Sequence, residues 1–536
     1  MNAPQSISLD TPPRARRAGR VLRQVFSFQV FLGALLVAAV FLNLWVRLAG
    51  TAAAPTGEAH ATFVEGDTFW HIAAGDRILA THTWPTTNYY SFTAPLSPWL
   101  AYEWLGEVVM AEASHLGGPR VLLGLLFGLI SLILLGVYYY AWLRSGNAKA
   151  AFVACAIVLP LLAVCFSLRP QLLGYTFLLA TLIPLERYRQ GRRASLWILP
   201  LVFVLWANTH GTFALGLMAI GVYAAAGLRG FRIGGLEAVR WTRAQLGHLT
   251  AVGVLSVLAL LANPYGINLL RYEIGAASQP VNMAYFQEWQ PLDFNESFGQ
   301  WFLVLLLAFA LAAVLGRLSL RADELTIVLV AVYLACVHQR LVVFFAIVIA
   351  PPLATLLARW MEPVDSAKDL PLLNLSLIVL FGAAVVACFP SNARLANLIE
   401  RNQPVRALAY LRQHPIDGPI FNDNFWGGYL IWADPGRRVF IDGRCDAYEP
   451  SGVLGNYIKI IALDRQALPL LDHYGVRACL IQRSAPLCTL LDASVQWRRA
   501  YQDDLSVVYV KDLAAPGAVA SAAGRAGPAG RWNHAP

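Results

Sequence analysis

Long apolar runs are the feature that most constrains the fold of this chain. Eleven of them lie near residues 30–46, 119–143, 150–168, 171–186, 195–209, 212–228, 247–263, 301–316, 324–339, 341–358 and 370–389. A helix needs roughly 20 apolar residues to cross a bilayer. Charged residues make up only 14% of the chain, against about 25% in soluble domains. The sequence therefore predicts an α-helical polytopic membrane protein with about eleven transmembrane helices.

Lys and Arg residues are concentrated in every second connection between these apolar runs. Five arginines lie in residues 1–26, and Lys or Arg recur in every second connection, at 144–149, 187–194, 229–246, 317–323 and 359–369. Because positive residues stay on the cytoplasmic side, these connections are predicted to be cytoplasmic and the others to lie outside. The net charge of +9 is thus assigned to orientation in the membrane, and no nucleic-acid partner is expected.

The chain divides into four predicted parts. A basic cytoplasmic N-terminus, 1–26, precedes a membrane domain, 27–389, whose first outside loop is 49–118. The first run is interpreted as a retained anchor, with a cleaved signal peptide as the alternative. Residues 390–512 alternate strand-like and helix-like segments, which predicts a small α/β domain outside the cytoplasm. Residues 513–536 are rich in Ala, Gly and Pro and are expected to be disordered.

Particular segments of the predicted α/β domain carry this interpretation. The expected strands are Arg438–Asp442, Ala478–Gln482 and Leu505–Val510, and the expected helices are Val405–Gln413 and Arg465–Tyr474.

The first outside loop carries acidic residues at helical spacing. Asp67 and His71 are four residues apart at the start of a helix expected over Phe69–Leu79. Glu103 and Glu107 repeat the spacing on a second expected helix, whose first turn is expected to contain Pro98. Asp67 could act as a general base, or it could cap its helix, and the two roles are compatible. The carboxylates of Glu103 and Glu107 could face a site or simply solvent.

Three later connections place polar side chains at the outside ends of helices, where orientation requires no positive charge. They contain Arg169 and Gln171, then His210, and then His338 and Arg340. Ionisable groups at this depth are costly and usually face a cavity or a partner. A shared site is therefore expected, in which Arg169 and Arg340 bind a phosphate and Glu288 of a later loop takes part. Snorkelling to lipid headgroups is the alternative for the arginines.

The order of these elements resembles the GT-C class of membrane glycosyltransferases, such as protein O-mannosyltransferases and lipid A aminoarabinose transferases. The residues that carry the resemblance are Asp67 with the helix after it, Pro85 with Tyr89 or Tyr90, and the segment from Pro98 to Glu107 that leads to Gly117 and the second span. The acidic pair that is usual in the family is reduced here, since Thr68 follows Asp67.

Two motifs of the C-terminal part also resemble outside domains appended to such enzymes. They are Trp426-Gly427-Gly428-Tyr429 and Asp442-Gly443-Arg444. Turn formation by the glycines is the alternative reading of both motifs.

The resemblance implies transfer of a hexosyl or pentosyl group from a polyprenyl-phosphate donor to a lipid, glycan or protein acceptor at the outer face of the cytoplasmic (inner) membrane, with inversion. Asp67 would be the catalytic base, with His71, Glu103 and Glu107 as further catalytic residues. The residues expected to bind the donor are Arg169, Gln171, His210, Glu288, His338 and Arg340. No metal or cofactor is expected. A transporter or flippase of lipid-linked sugars and a non-catalytic assembly partner remain open as alternatives.

Overall fold

The computed structural model describes residues 25–53, 65–95, 97–192, 194–276, 278–315 and 318–512. The predicted basic N-terminus lies outside these residues except for its last two, and the predicted disordered tail, 513–536, lies outside them entirely.

Each of the eleven apolar runs centres on one helix. In chain order the helices of the first part are α1 (Phe28–Ala53), α2 (Gly66–Thr81), α3 (Trp104–Ser145), α4 (Ala148–Leu162), α5 (Gln171–Arg189), α6 (Leu199–Ala207), α7 (Phe213–Ala226), α8 (Arg243–Ala259), α9 (Ile267–Ala276), α10 (Pro280–Tyr285), α11 (Ser297–Leu315), α12 (Ala322–Val337), α13 (Val342–Leu357) and α14 (Pro371–Cys388). Of these, α2, α9 and α10 lie in predicted outside loops.

Some of these helices are long enough to cross a membrane. Among the described residues, five helical segments are long and apolar enough to cross a membrane: α1, α3, α11, α14, and Gln339–Leu357, which contains α13. Three further apolar helices are shorter. The chain is a membrane protein by these helices, and the count of eleven spans stays a prediction.

Helix α3 is broken near its N-terminal third. Gly117 and Gly118 have non-helical backbone angles, Gly118 has a φ of +61°, and Pro119 follows. Asn392 holds the break, because its side chain accepts a hydrogen bond from the Arg120 amide and donates one to the Gly117 carbonyl. The break separates residues 104–116 from the predicted second span.

The helix expected to begin near Pro98 begins at Trp104 instead. Pro98 lies in an antiparallel bridge with Thr87, and the Trp99 amide donates to the Thr86 carbonyl. The backbone of this segment is thus occupied by pairing within the first loop, and the prediction for Pro98 is wrong.

Several basic residues that were assigned to orientation also have acidic partners. Arg321 contacts Glu186, with 2.9 Å between Nη1 and Oε1, and Arg144 contacts Glu324, with 3.0 Å between Nη2 and Oε2. On the same side a small sheet forms, in which β1 (Phe231–Ile233) pairs antiparallel with β2 (Leu236–Ala238) and β2 pairs parallel with β3 (Leu320–Arg321). Ion pairs and strands tie these connections to one another.

The C-terminal part contains a four-stranded mixed sheet with helices around it. Its helices are α15 (Asn392–Asn402), α16 (Val405–Gln413), α17 (Asn424–Ala433), α18 (Cys445–Tyr448), α19 (Val453–Ile461), α20 (Ala467–His473) and α21 (Leu487–Asp492). Its strands are β4 (Ile420–Asn422), β5 (Ala478–Gln482), β6 (Trp497–Gln502) and β7 (Ser506–Lys511), in the order β4-β5-β7-β6. Strand β4 pairs parallel with β5, and β7 pairs antiparallel with both β5 and β6.

The expected strand Arg438–Asp442 is absent from this sheet, so that prediction is wrong. The segment is extended and instead joins the first loop, where Val439 forms a parallel bridge with Ser91. The Val439 amide donates to the Tyr90 carbonyl, and the Thr93 hydroxyl donates to the Phe440 carbonyl.

The Trp-Gly-Gly-Tyr motif forms part of a helix, so the turn reading of its glycines is wrong. Gly427 and Gly428 are buried in α17. A Cβ atom on Gly428 would overlap the Gly66 carbonyl oxygen at the start of α2, and one on Gly427 would overlap the Ile441 carbonyl oxygen. Gly428 therefore allows α17 to pack directly against the backbone next to Asp67, and Gly427 allows it to pack against the segment of Ile441 and Asp442.

Candidate active site

Asp67 lies in the first turn of α2, where a carboxylate is favoured by the helix dipole. Its Oδ1 accepts a hydrogen bond of 3.1 Å from the Trp70 indole nitrogen, and its Oδ2 lies 3.0 Å from Arg169 Nη2. The N-cap position belongs to Glu65, whose side chain makes no capping hydrogen bond. The prediction that Asp67 caps the helix is therefore wrong.

Arg169 is surrounded by three carboxylates. Its guanidinium lies 2.7 Å from Glu65, 3.0 Å from Asp67 and 3.3 Å from Glu288. Arg340 lies 3.5 Å from the other oxygen of Glu288. Two arginines from separate helix connections are thus bridged by Glu288 beside Asp67, and we call Glu65, Asp67, Arg169, Glu288 and Arg340 the arginine cluster.

The charge balance of the arginine cluster favours ionised groups. Burial alone would raise the pKa of Glu288, but the guanidinium groups of Arg340 and Arg169 outweigh it and hold this pKa below its usual value. In turn, the neighbouring carboxylates of Asp67, Glu65 and Glu288 outweigh burial and raise the pKa of Arg169. Arg169 and Glu288 are therefore held as opposite charges at neutral pH.

A second group, the histidine cluster, consists of His71, Glu103, Glu107 and His210. His71 Nε2 lies 3.7 Å from Glu103 and His71 Nδ1 lies 3.5 Å from Glu107. His210 Nε2 lies 3.3 Å from the second oxygen of Glu103. All four residues are buried, so the reading of Glu103 and Glu107 as a solvated face is wrong.

Burial dominates the protonation of this second cluster. Burial, together with the positive charge of Arg169, holds the pKa of His71 well below its usual value, so the imidazole is neutral at pH 7. Burial and the neighbouring Glu107 carboxylate raise the pKa of Glu103 well above its usual value. Both shifts follow from the cost of placing charge in a dry environment.

Trp70 lies between the two clusters. Its indole nitrogen donates to Asp67, while its ring packs on the His71 imidazole with 3.6 Å between centroids. The i, i+4 spacing of Asp67 and His71 thus leads to two separate environments rather than one shared face.

Gln171 and His338 lie beside the arginine cluster and are used in local hydrogen bonds. The Gln171 amide donates to the Tyr175 hydroxyl, which donates to the Arg340 carbonyl. His338 Nδ1 is 2.8 Å from the Trp289 carbonyl, next to Glu288. The two residues support the segments that carry Arg340 and Glu288, and donor binding by them stays a prediction.

Two further ionisable residues near these clusters, the partly buried Glu273 and the buried Arg444, were not identified as site residues from the sequence. Glu273 on α9 occupies the space where a Cβ atom of Gly211 would lie, next to His210. Arg444 is buried in an ion pair of 2.6 Å with Asp442, donates to Asn88, and packs over the rings of Tyr90 and Trp99. The Asp442-Gly443-Arg444 motif was the available signal for Arg444, and no comparable motif surrounds Glu273.

Metal-binding geometry occurs in one place among the described residues. His71, Glu103 and Glu107 each offer one ligand atom, and these atoms lie within 4.8 Å of one another. No metal site was expected from the sequence, since the arginines could supply the positive charge. The three residues come from two separate segments, and only the fold brings them together.

Comparisons with known proteins identify the fold. No protein-family model and no curated protein matches the chain. Among solved structures, the oligosaccharyltransferase of Archaeoglobus fulgidus, tethered to an acceptor peptide with an NVT sequon, has a TM-score of 0.53 at 12% identity over 86% of this chain and 70% of that chain. ArnT from Cupriavidus metallidurans, in the apo state, has a TM-score of 0.46 at 14% identity over 92% of this chain and 98% of that chain. The chain has the fold of the GT-C class of membrane glycosyltransferases.

Proposed function

We propose that this protein transfers a sugar from a polyprenyl-phosphate donor to an acceptor at the outer face of the cytoplasmic membrane, with inversion at the anomeric carbon. The observation that carries the proposal is the arginine cluster, in which two guanidinium groups bridged by Glu288 lie beside the Asp67 carboxylate on a GT-C fold. Sugar transfer of this kind needs a base for the acceptor and positive charge for the leaving phosphate.

Arg169 and Arg340 are the groups that would receive the donor phosphate. One guanidinium group can donate two parallel hydrogen bonds to two oxygens of a phosphate. In the structure their positive charge is balanced by Glu65, Asp67 and Glu288. The phosphate would compete with these carboxylates for Arg169, and the leaving group would keep that stabilisation as its charge grows.

Asp67 would act as the base once Arg169 turns to the phosphate. Its Oδ2 would then accept the proton of the acceptor hydroxyl, while Oδ1 stays fixed by the Trp70 indole. The acceptor oxygen attacks the anomeric carbon opposite the phosphate, and one displacement inverts the configuration. Base catalysis of this type contributes about 10²–10⁴-fold.

A direct test is mass spectrometry of lipids that co-purify with the full chain. The proposal expects polyprenyl phosphate or polyprenyl-phosphate-linked sugar to be enriched over bulk phospholipid, and expects Arg340→Gln to lose the enrichment. Arg271→Gln, on the exposed face of α9, is the matched control and should retain the lipid. Equal lipid content in all three proteins would contradict the proposal.

One observation favours the second candidate, a non-catalytic assembly partner with the same fold. Asp67 is held by Arg169, and Thr68 stands where the family's second acidic residue is usual. A protein of this kind would bind the donor without transferring its sugar, so donor binding measured beside sugar transfer separates the two functions.

A further inference from the structure

The histidine cluster contains polar atoms whose hydrogen bonds are incomplete. His71 and Glu107 are 3% and 1% exposed. His71 Nδ1 and Glu107 Oε2 are buried without a hydrogen-bond partner in the described part of the chain. Buried polar atoms normally have partners, because an unsatisfied one carries its full desolvation penalty. A bound species that contacts both His71 and Glu107 is therefore expected in this cluster.

The contacts within the cluster are too long for hydrogen bonds. His71 Nε2 lies 3.7 Å from Glu103 and His71 Nδ1 lies 3.5 Å from Glu107, beyond the usual 2.7–3.2 Å of a hydrogen bond. One potential ligand atom from each of the three residues lies within 4.8 Å of the other two, so small side-chain movements would let one ring nitrogen of His71 and both carboxylates contact a single ion. We propose that His71, Glu103 and Glu107 bind one divalent transition-metal ion, Zn²⁺ or Mn²⁺.

His210 orients one of these ligands rather than binding the ion. The Thr212 amide donates a hydrogen bond of 3.1 Å to His210 Nδ1, so in the neutral ring the proton is on Nε2. That protonated nitrogen faces Glu103 at 3.3 Å and cannot donate a lone pair to a metal. Carboxylates that bind metals are commonly positioned by such neighbours.

The ligand set defines the kind of ion. One imidazole with two carboxylates suits Zn²⁺ and Mn²⁺, whereas Mg²⁺ prefers oxygen ligands and water. Three protein ligands leave a coordination position for water or substrate. The arginine cluster has no such need, because the Arg169 guanidinium already supplies the cation between its carboxylates.

The test is metal binding by the purified full-length protein, independent of sugar transfer. The protein in detergent is stripped with a chelator, dialysed and titrated with ZnCl₂ and separately with MnCl₂, and bound metal is measured by elemental mass spectrometry. We expect one ion per chain in the parent protein and in Glu112→Gln, an exposed glutamate of the same helix. Glu107→Gln should lose at least nine-tenths of the binding.

Electron paramagnetic resonance then identifies the histidine. Bound Mn²⁺ should show a coupling to imidazole nitrogen in the parent protein, and His71→Gln should lose it. If Glu107→Gln fails to fold, Glu103→Gln and the parent's own stoichiometry and nitrogen coupling decide the matter. A parent protein that binds neither ion at one per chain, or one whose Mn²⁺ lacks nitrogen coupling, would overturn the proposal, as would variants that bind like the parent.

Discussion

Arg169 is the single residue on which the proposed chemistry depends most. It is the only guanidinium in the described residues that contacts Glu65, Asp67 and Glu288 together. The sequence predicted a phosphate-binding role from its position at a helix end. The sequence also placed Glu288 in the shared site, but it could not predict that three carboxylates contact the guanidinium directly. Glu288 lies 119 residues further along the chain, and sequence patterns report local spacing only.

Replacement of Arg169 tests donor binding at the residue scale. Arg169→Gln should weaken binding of a polyprenyl-phosphate donor by about tenfold or more, because a charged hydrogen bond contributes about 1.5–3 kcal/mol. Donor binding is measured by isothermal titration in detergent, with Arg271→Gln as the control. Parent-like affinity in Arg169→Gln would mean that this arginine has a structural role only.

Glu273 predicts a pH dependence of stability. Burial raises its pKa from 4.5 to about 7, so the folded protein binds this proton more tightly than the unfolded chain does. Stability from this group is present below pH 4.5 and is lost as the pH rises to about 7. Glu273→Gln should remove this part of the decrease in Tm between pH 5 and pH 7. An unchanged pH profile in the variant would contradict the assignment.

At the scale of elements, the contact between α2 and α17 holds the site. Gly428 lies against the Gly66 carbonyl. Gly443 lies so close to Asp67 that a Cβ atom at position 443 would overlap Asp67 Oδ1. The C-terminal part therefore fixes the turn of helix that carries the proposed base. Both glycines lie in motifs that the sequence singled out, with turn formation as the alternative. For the pair Gly427-Gly428 the sequence could not decide, because adjacent glycines occur both in turns and where helices pack closely.

Two helical glycines give a matched test of this contact. Gly428→Ala should destabilise the protein by about 1–3 kcal/mol, because the added carbon meets backbone that cannot move aside. Gly455→Ala, in α19 with open space around it, should be neutral or stabilise by up to about 1 kcal/mol, as alanine favours helix. Thermal unfolding measures both. Equal changes in stability in the two variants would show that α17 and α2 are not in close contact at Gly428.

The elements themselves were predictable to different degrees. The apolar runs predicted the helices of the bundle, and Val405–Gln413 and Ala478–Gln482 match α16 and β5 end to end. Strand β6, with the sequence WRRAYQ, was missed because its polar, partly exposed residues lack a strand pattern. Arg438–Asp442 has the apolar character of a strand, but its burial comes from the first loop rather than from a sheet.

At the scale of the whole molecule, the first loop and the C-terminal part form one structure. Arg444 with Asp442 is buried against Tyr90, Trp99 and Asn88 of the loop. The predicted topology must therefore place both parts on the same side of the membrane. The alternation of basic connections predicts that this side is the outside.

A reporter fusion tests this topology. An enzyme that is active only outside the cytoplasm should be active when fused after residue 512 and inactive when inserted within 229–246. The basic residues of the second segment are expected to keep it in the cytoplasm. The reverse pattern would invert the orientation and remove the donor-binding face from the outer leaflet.

The central claim, that the protein is a sugar transferase with Asp67 as its base, is tested most directly by the transfer reaction itself. Purified parent, Asp67→Asn and Asp76→Asn proteins are compared in a defined assay with polyprenyl-phosphate-linked sugars, and donor binding is measured in parallel. Asp76 lies on the same helix and pairs with the exposed His115, so its variant controls for a lost carboxylate. The account predicts parent-like transfer by Asp76→Asn, and a loss of about 10²–10⁴-fold in Asp67→Asn with donor binding retained. Transfer by Asp67→Asn within a few-fold of the parent, or no transfer by the parent with any donor, would contradict it.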